Sequence, residues 1–331
     1  MGPSSMTRLL LQKALHESAL LLLSCASLLF LFCWIRVWVV CQFDLQQLNS
    51  IIEQLRRFER FIPVPLEQLL TYSGSIAMVF HEPILILCVM VWVIARGSDA
   101  VSGEINRGTM EMLLAQPVGR LRWLACHTSV CVVGLIGLCG VCWLGLATGI
   151  HTFSVQQQVA PTFDVSLPLL PWNLPVQIGP SQQVQTPLSN IVNAGQFIAP
   201  TCNLFAMSFF VLGLSLFCSS WDRYRWRTLG IVMGIFIVQF MLQILSKATD
   251  ATAFVANFTF LTAYKPDTIV YFANDIPGAA WWLWVPLDER TSSWPHALGP
   301  LGMTLLLLAG GAVWMLLAAW RFRTRDIPAP L

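Results

Sequence analysis

The chain has 331 residues, of which 56% are hydrophobic and 11% are charged, and its mean hydropathy is +0.66. Soluble proteins carry about 25% charged residues, so this composition excludes a soluble globular protein and predicts a polytopic membrane protein. The net charge of +2 and the lack of a Lys/Arg-rich block argue against a nucleic-acid partner.

The N-terminal residues predict an elbow helix that leads into a first membrane span. Residues 7–17 place leucines on one side of a helix and polar side chains on the other, which is typical of a helix lying in the membrane interface. Residues 18–40 are apolar and long enough for a bilayer core about 30 Å thick. A cleaved signal peptide is the alternative, but the apolar run exceeds the usual length of roughly 7 to 15 residues and no A-x-A-like site follows it.

The first outer loop, residues 41–72, contains a second amphipathic pattern. Leucine, isoleucine and phenylalanine recur every three or four residues from Leu45 until Pro63 and Pro65 interrupt the pattern. The pattern is shorter than the three to four heptads of a coiled coil, so we expect a helix packed on the membrane surface or on neighbouring loops.

Span 2, residues 75–95, contains the polar sequence His81-Glu82-Pro83. Polar groups are costly in hydrocarbon and usually face a bundle interior or a water-filled cavity, so His81 and Glu82 are candidates for a translocation path. The alternative is structural: both side chains are hydrogen-bonded near the outer interface, and Pro83 kinks the helix. A zinc-protease motif is excluded because Leu85 occupies the position of the second histidine ligand.

A polar segment, residues 96–120, joins spans 2 and 3 and contains a short predicted helix. Thr109 is suited to capping the start of this helix at residue 109, and Pro117 stops it after residue 116 because proline lacks an N–H group and clashes with the preceding turn. The helix is amphipathic. Its apolar face consists of Met110, Leu113 and Leu114.

Span 3, residues 124–150, contains Cys139 and Cys142 in a C-x-x-C arrangement. Redox pairs normally lie at an exposed helix start, and no second Cys/His pair has ligand spacing, so we interpret these cysteines as small hydrophobes. The other cysteines also lie mostly in apolar runs and predict no disulfide framework. The small residues of a predicted helix-packing face are Gly134, Gly137, Gly140 and Gly145.

The second half of the chain predicts three more spans, at residues 197–218, 228–245 and 298–320. The outer loop at residues 151–196 has no Lys or Arg and is rich in Pro and Gln. The outer loop at residues 246–297 has apolar pieces too short to span, and its tryptophans between residues 279 and 285 favour the headgroup level. We therefore predict a re-entrant or surface-lying hairpin there rather than further spans.

The basic residues predict the orientation of these spans. With the N-terminus inside, twelve Lys/Arg residues lie on the cytoplasmic side and six in the opposite loops, which agrees with the positive-inside rule. The predicted fold class is therefore all-α, with six transmembrane helices and both termini cytoplasmic. The twelve residues are Arg8, Lys13, Arg96, Arg107, Arg120, Arg122, Arg223, Arg225, Arg227, Arg321, Arg323 and Arg325.

The segment from Ser98 to Glu104, followed by Gly108 to Pro117, closely resembles the cytoplasmic loop of ABC-2 type permeases, the membrane subunits of ABC transporters. The six-span order, the elbow helix, the apolar outer hairpin and the Arg-Asp-Ile-Pro-Ala-Pro tail extend the resemblance over most of the chain. The sequence departs from the family's pattern in two places. Asn106 stands where a charged residue is frequent, and Gly119 stands where a hydroxyl residue is common.

The resemblance implies a single ABC-2 type transmembrane domain, residues 1–331, in the cytoplasmic (inner) membrane. It implies an ABC ATP-binding subunit that carries ATP and Mg, and a second permease subunit, identical or different, among membrane lipids. Glu104 and Glu111 are expected to pair with basic residues of the ATPase. The apolar face of the short helix is expected to enter a groove on the ATPase. The residues assigned to coupling are Gly103, Glu104, Gly108, Thr109, Met110, Glu111, Leu113, Leu114, Gln116 and Pro117.

The chain itself carries no pattern for ATP binding or hydrolytic chemistry. None of its three lysines follows a glycine, so it has no P-loop, and it has neither G-x-S-x-G nor histidines at metal-ligand spacing. We therefore expect a transport permease, not an enzyme, with no cofactor in this chain. Two alternatives are a scaffold subunit of an ATPase-driven envelope machine and an integral membrane enzyme that uses His81 and Glu82.

Overall fold

The computed structural model describes residues 3–42, 71–110, 112, 119–159, 162–165, 174–177, 182–286, 294 and 297–325. The amphipathic pattern of the first outer loop lies outside these residues, as does most of the short helix predicted after Thr109.

Six helices in the described part of the chain are long and apolar enough to cross a membrane, by length and composition. They confirm the all-α, six-span prediction, and their ends differ from the predicted ends by a few residues except in the first two spans. The six are α1, α3, α4, α5, α6 and α8. In chain order the α-helices are α1 (Pro3–Gln42), α2 (Tyr72–Ala77), α3 (Pro83–Ser98), α4 (Arg120–Thr152), α5 (Ile198–Trp221), α6 (Arg225–Ala248), α7 (Pro266–Asp275) and α8 (Pro300–Thr324).

The elbow and span 1 form one continuous helix, α1, rather than two helices. Its 40 residues contain no glycine and no proline after Pro3, and the junction between residues 14 and 23 is mostly alanine and leucine, which favour a helix. At 1.5 Å per residue the helix is roughly 60 Å long, about twice the thickness of a bilayer core. At least one end of α1 therefore extends beyond the hydrocarbon.

Span 2 begins at Pro83, eight residues later than expected. The preceding residues form α2 and a 3₁₀ turn, Met78–His81, and Glu82 has an extended backbone. Proline is favoured in the first turn of a helix because the helix leaves that N–H group without a partner. Pro83 therefore starts α3 and does not kink a longer helix. At its other end α3 continues through a π-helical turn, Asp99–Gly103, and a helical turn at Glu104–Asn106.

The described residues of the loop between α4 and α5 contain four β-strands that the sequence analysis did not predict. Strand β1 (Ser154–Val159) pairs antiparallel with β4 (Gln182–Pro187), and β2 (Thr162–Val165) pairs antiparallel with β3 (Leu174–Gln177). The second ladder is nested inside the first, as in one long hairpin. The strands are rich in Gln and Val without a strict alternation of polar and apolar residues, so their sequence carries a weak strand signal.

The described residues between α6 and α8 form short elements. They are the 3₁₀ segments Asp250–Phe258, Phe260–Ala263 and Ala279–Trp281 and the helix α7. In this described stretch no helix is long enough to cross a membrane, which agrees with the surface-lying hairpin predicted from the sequence. Its depth in the membrane stays a prediction.

The core of the bundle lies around α3 and α5, whereas α6 contributes only two buried residues, Thr228 and Val232. Helices α5 and α8 approach closely at Gly213. The approach is so close that a Cβ atom at this position would overlap the carbonyl oxygen of Gly311 on α8. Tight packing through small residues replaces the hydrophobic driving force that lipid removes.

Two of the four glycines expected in the packing face of span 3 do pack. A Cβ atom on Gly145 would lie 2.9 Å from Cβ of Cys33 on α1, and one on Gly134 would overlap the ring of Trp92 on α3. Gly137 and Gly140 instead face open space within the described structure. Gly134 and Gly145 are separated by about three helical turns and therefore share one face of α4, whereas Gly137 and Gly140, three residues apart, are rotated away from that face.

Candidate functional site

The segment between α3 and the predicted coupling helix is closed by a glycine cap. Gly108 has φ of 72°, a left-handed conformation that glycine adopts at little cost. The N–H of Thr109 donates to the carbonyl of Glu104 (3.1 Å), and the N–H of Gly108 donates to the carbonyl of Ile105 (3.0 Å). This pair of hydrogen bonds is a Schellman motif, which ends a helix and fixes the direction of the next segment.

Six charged side chains meet at this segment and form what we call the ion-pair cluster: Lys13, Arg96, Asp99, Glu104, Arg107 and Arg225. Asp99 and Glu104 are buried, with exposed fractions of 5% and 3%. Buried carboxylates are stable only when they are paired and hydrogen-bonded, so the surrounding cations are needed to hold them ionised.

Asp99 binds three guanidinium groups. Its Oδ1 lies 2.8 Å from Nη1 of Arg107 and 3.3 Å from Nη1 of Arg225, and its Oδ2 lies 3.4 Å from Nη1 of Arg96. Arg225 is the first residue of α6, so this carboxylate joins α3 to α6.

Glu104 binds two cations and a hydroxyl group. Its Oε1 lies 3.0 Å from Nη2 of Arg107 and 3.4 Å from Nζ of Lys13 on α1, and the hydroxyl of Thr109 donates to its Oε2. The two carboxylates raise the pKa of Arg107 despite its partial burial, so this guanidinium stays charged. Lys13 also lies over the ring of Trp123, 5.5 Å from its centroid.

Hydroxyl groups hold the π-turn against α5 and α6. The Oγ of Ser219 accepts the N–H groups of Val101 (3.2 Å) and Ser102 (2.9 Å), and the Ser219 hydroxyl donates to the carbonyl of Ser98 (3.0 Å). The hydroxyl of Thr228 on α6 donates to Oγ of Ser102 (3.2 Å). A π-turn disturbs the regular backbone ladder, and these side chains supply the partners that buried backbone groups require.

Helix α4 is bound to the same segment by two ring N–H groups. The indole of Trp123 donates to the carbonyl of Ala100 (3.2 Å), and Nε2 of His127 donates to the carbonyl of Arg96 (3.0 Å). The segment from Arg96 to Thr109 is therefore joined by ion pairs and hydrogen bonds to α1, α4, α5 and α6.

The structure places the predicted coupling residues in two groups. Gly103, Gly108 and Thr109 shape the segment, since a Cβ atom on Gly103 would overlap the Asp99 carboxylate. Glu104 and Met110, expected to face the ATPase, are buried within this chain with exposed fractions of 3% and 1%. Glu104 differs from the expectation because its own chain supplies the cations that pair with it. The residues that lie outside the described ranges are Glu111, Leu113, Leu114, Gln116 and Pro117.

The sequence analysis did not single out most of the ion-pair cluster. Two of its pairs, Arg96 with Asp99 and Glu104 with Arg107, have the i, i+3 spacing that brings side chains together on a helix, and this signal was available in the sequence. The contacts of Lys13 and Arg225 join residues that are far apart in sequence. No local pattern predicts them.

His81 and Glu82 lie at the opposite end of α3, each in a pair with another element. Nε2 of His81 lies 2.9 Å from Oδ1 of Asp267 on α7, and Oε1 of Glu82 lies 3.5 Å from Nε of Arg36 on α1. The hydroxyl of Tyr264 donates to the carbonyl of Phe80 beside them (2.6 Å). Both side chains are paired, as the structural alternative expects, but Pro83 starts α3 and does not kink it. Their position at the outer interface and their part in a translocation path stay predictions.

The fold and the ion-pair cluster belong to a multi-pass membrane protein whose spans are joined at one end by a polar, hydrogen-bonded segment. A family model described as the multidrug efflux system permease Rv1217c, C-terminal domain, matches residues 45–176. The matched range contains α3, the segment up to Thr109 and α4, and it supports a transport permease. No curated protein matches the chain.

Proposed function

We propose that the chain is the permease subunit of an efflux transporter and moves its substrate by alternating access, driven by a separate ABC ATP-binding subunit. The observation that carries the proposal is the ion-pair cluster with its hydroxyl groups. The segment immediately before the predicted coupling helix is bonded to α1, α4, α5 and α6, so a displacement of that helix would act on several spans together. Packed elements of this kind shift between discrete arrangements rather than deform continuously.

The partners and the direction of transport rest on sequence. The resemblance of the stretches from Ser98 to Glu104 and from Gly108 to Pro117 to the ABC-2 cytoplasmic loop supports an ATPase partner that holds ATP and Mg, and a second permease subunit beside this one. The matched family, described as a multidrug efflux permease, supports efflux of drug-like compounds. In this proposal the membrane is the inner membrane and both termini are cytoplasmic.

The buried and exposed coupling residues have different roles in this proposal. Glu104 and Met110 position the segment from inside, because neither is accessible to a partner. Met112 is 72% exposed and is available for contact. Glu111, Leu113 and Leu114 are proposed to contact the ATPase on the strength of the resemblance.

A crosslinking experiment tests the ATPase contact. A photoreactive amino acid at Met112 should crosslink to the co-expressed ATPase subunit, whereas the same amino acid at Gln185, exposed on β4, should not. Loss of the crosslink at Met112 while the ATPase still co-purifies would contradict the proposed docking site. Equal crosslinking from both positions would do the same.

A transport assay separates the permease from the scaffold alternative. Glu111→Ala combined with Leu114→Lys should loosen ATPase docking and reduce drug efflux from proteoliposomes, because an unpaired lysine in an apolar groove is costly. Gln185→Ala combined with Val184→Lys makes a matched change on β4 and should leave efflux unchanged. ATP hydrolysis by the wild-type complex without movement of any tested compound would favour a scaffold.

A further inference from the structure

We propose that a cavity beside the α5–α6 connector binds an anionic phospholipid, with the phosphate on arginines and an acyl chain along apolar side chains. The cavity has a volume of about 460 Å³ and lies between the connector and the end of α8. We call it the arginine cavity. Its charged lining residues and the two aromatic residues that flank them are Trp221, Asp222, Arg223, Tyr224, Arg227 and Arg325.

The side chains that line the arginine cavity carry an excess of positive charge. Three arginines line it, and Asp222 is the acidic residue among its lining residues. The Oδ1 of Asp222 already accepts the N–H groups of Arg223 (2.7 Å) and Tyr224 (3.1 Å), and its Oδ2 lies 3.5 Å from Nε of Arg227. An anion bound beside Arg223 and Arg227 would neutralise the remaining positive charge. Guanidinium groups bind phosphate through paired hydrogen bonds.

Arg325 and Arg321 add to the positive charge at the end of α8. Arg325 is 8% exposed and donates from Nη1 to the carbonyls of Ser220 (2.8 Å) and Asp222 (3.0 Å), which are neutral acceptors. Burial and the neighbouring guanidiniums of Arg321 and Arg223 lower the pKa of Arg325. Arg321 lies over the ring of Trp221, 4.4 Å from its centroid, and its buried Nε has no hydrogen-bond partner within the described residues.

The remaining walls of the cavity suit a lipid rather than a soluble anion. Phe217 and Ile231 line it from α5 and α6, next to the side chains of Trp221 and Tyr224, which are 55% and 49% exposed. Tryptophan and tyrosine favour the membrane interface, where one end of a ligand is polar and the other apolar. Basic pockets between helices at the cytoplasmic side bind anionic headgroups, so an amphipathic anion fits both parts of this site.

Binding of defined lipids to the purified full-length chain tests the proposal. Native mass spectrometry in a neutral detergent should show binding of phosphatidylglycerol, with weaker binding of phosphatidylcholine of the same acyl chains. Replacing Arg223 and Arg227 together by alanine should weaken phosphatidylglycerol binding by roughly 25-fold, about fivefold for each arginine. Both side chains are exposed, so the double variant should fold. Each single variant should weaken phosphatidylglycerol binding by about fivefold and so provides the same test.

The matched control is Arg323→Ala. Arg323 is exposed on the last turn of α8 and does not line the arginine cavity, so its removal should leave lipid affinity unchanged. An unchanged affinity in the Arg223/Arg227 variant, or an equal loss in Arg323→Ala, would overturn the site. Equal affinity for phosphatidylcholine would overturn the role of the negative charge. Equal affinity for glycerol 1-phosphate would overturn the role of the acyl chain and point to a soluble phosphate. None of these measurements depends on ATPase binding or transport.

Discussion

Asp99 is the residue on which most of the ion-pair cluster depends, because its two oxygens bind Arg96, Arg107 and Arg225. Replacing it by asparagine keeps the size of the side chain and removes the charge, which leaves three guanidiniums without their shared partner. Breaking a buried ion pair costs about 3–5 kcal/mol. We expect the lower end of that range for Asp99→Asn, since Arg107 and Arg225 stay partly exposed to solvent.

The free energy of unfolding in detergent, measured for Asp99→Asn and for a control, checks this expectation. Asp275→Asn is the control, because Asp275 is exposed at the end of α7. Equal stability of the two variants would mean that the carboxylate of Asp99 does not hold the segment together.

Lys265, just before α7, gives the protein a predicted pH dependence. Burial lowers its pKa to about 8, with a further contribution from Lys247 and an opposing one from Asp267. The folded state therefore binds fewer protons than the unfolded chain between pH 8 and the ordinary lysine pKa of about 10.4. The resulting destabilisation is fully present below pH 8 and is relieved as the pH rises through this range.

Lys265→Met removes the titrating group and shows the size of this effect. The Tm of the wild-type protein should rise relative to the Tm of the variant between pH 7.5 and pH 10. The reason is that only the wild type loses a destabilising charge over this range. A constant difference across this range would contradict the assigned pKa.

At the scale of elements, the π-turn connects the end of α3 to the segment that continues to Thr109. Ser219 holds it by accepting two buried N–H groups from Val101 and Ser102. Ser219→Ala leaves both donors without that acceptor, and a buried unsatisfied group costs about 1–3 kcal/mol. We expect this variant to lose stability and to lose ATP-driven transport in larger proportion than ATPase binding, because the π-turn would no longer be fixed to α5.

Ser129→Ala is the matched control for this prediction. The hydroxyl of Ser129 donates to the carbonyl of Cys126 within α4, so it joins no two helices. If Ser219→Ala and Ser129→Ala had the same stability and transport activity, the hydroxyl contacts of the π-turn would have no mechanical role.

At the scale of the whole molecule, the basic residues predict the orientation of the six spans in the membrane. The positive-inside rule predicts that β4 is outside and that the end of α8 is in the cytoplasm. In a cysteine-free background, a cysteine at Gln185 should react with an impermeant reagent in intact cells. One at Arg323 should react only after permeabilisation. The reverse pattern would invert the topology.

The sequence by itself determined the number of spans and the approximate ends of the last four, because a bilayer core requires about 20 consecutive apolar residues and the chain contains six such runs. It also located the segment from Ser98 to Pro117. Only the tertiary structure decided that Glu104 is buried, that Lys13 and Arg225 reach the same cluster, and that Arg325 closes a cavity against the α5–α6 connector. Apolar length is a local property of the chain. The pairing of charges depends on which helices pack together, and the partners are distant in sequence: His81 and Asp267, for example, are 186 residues apart.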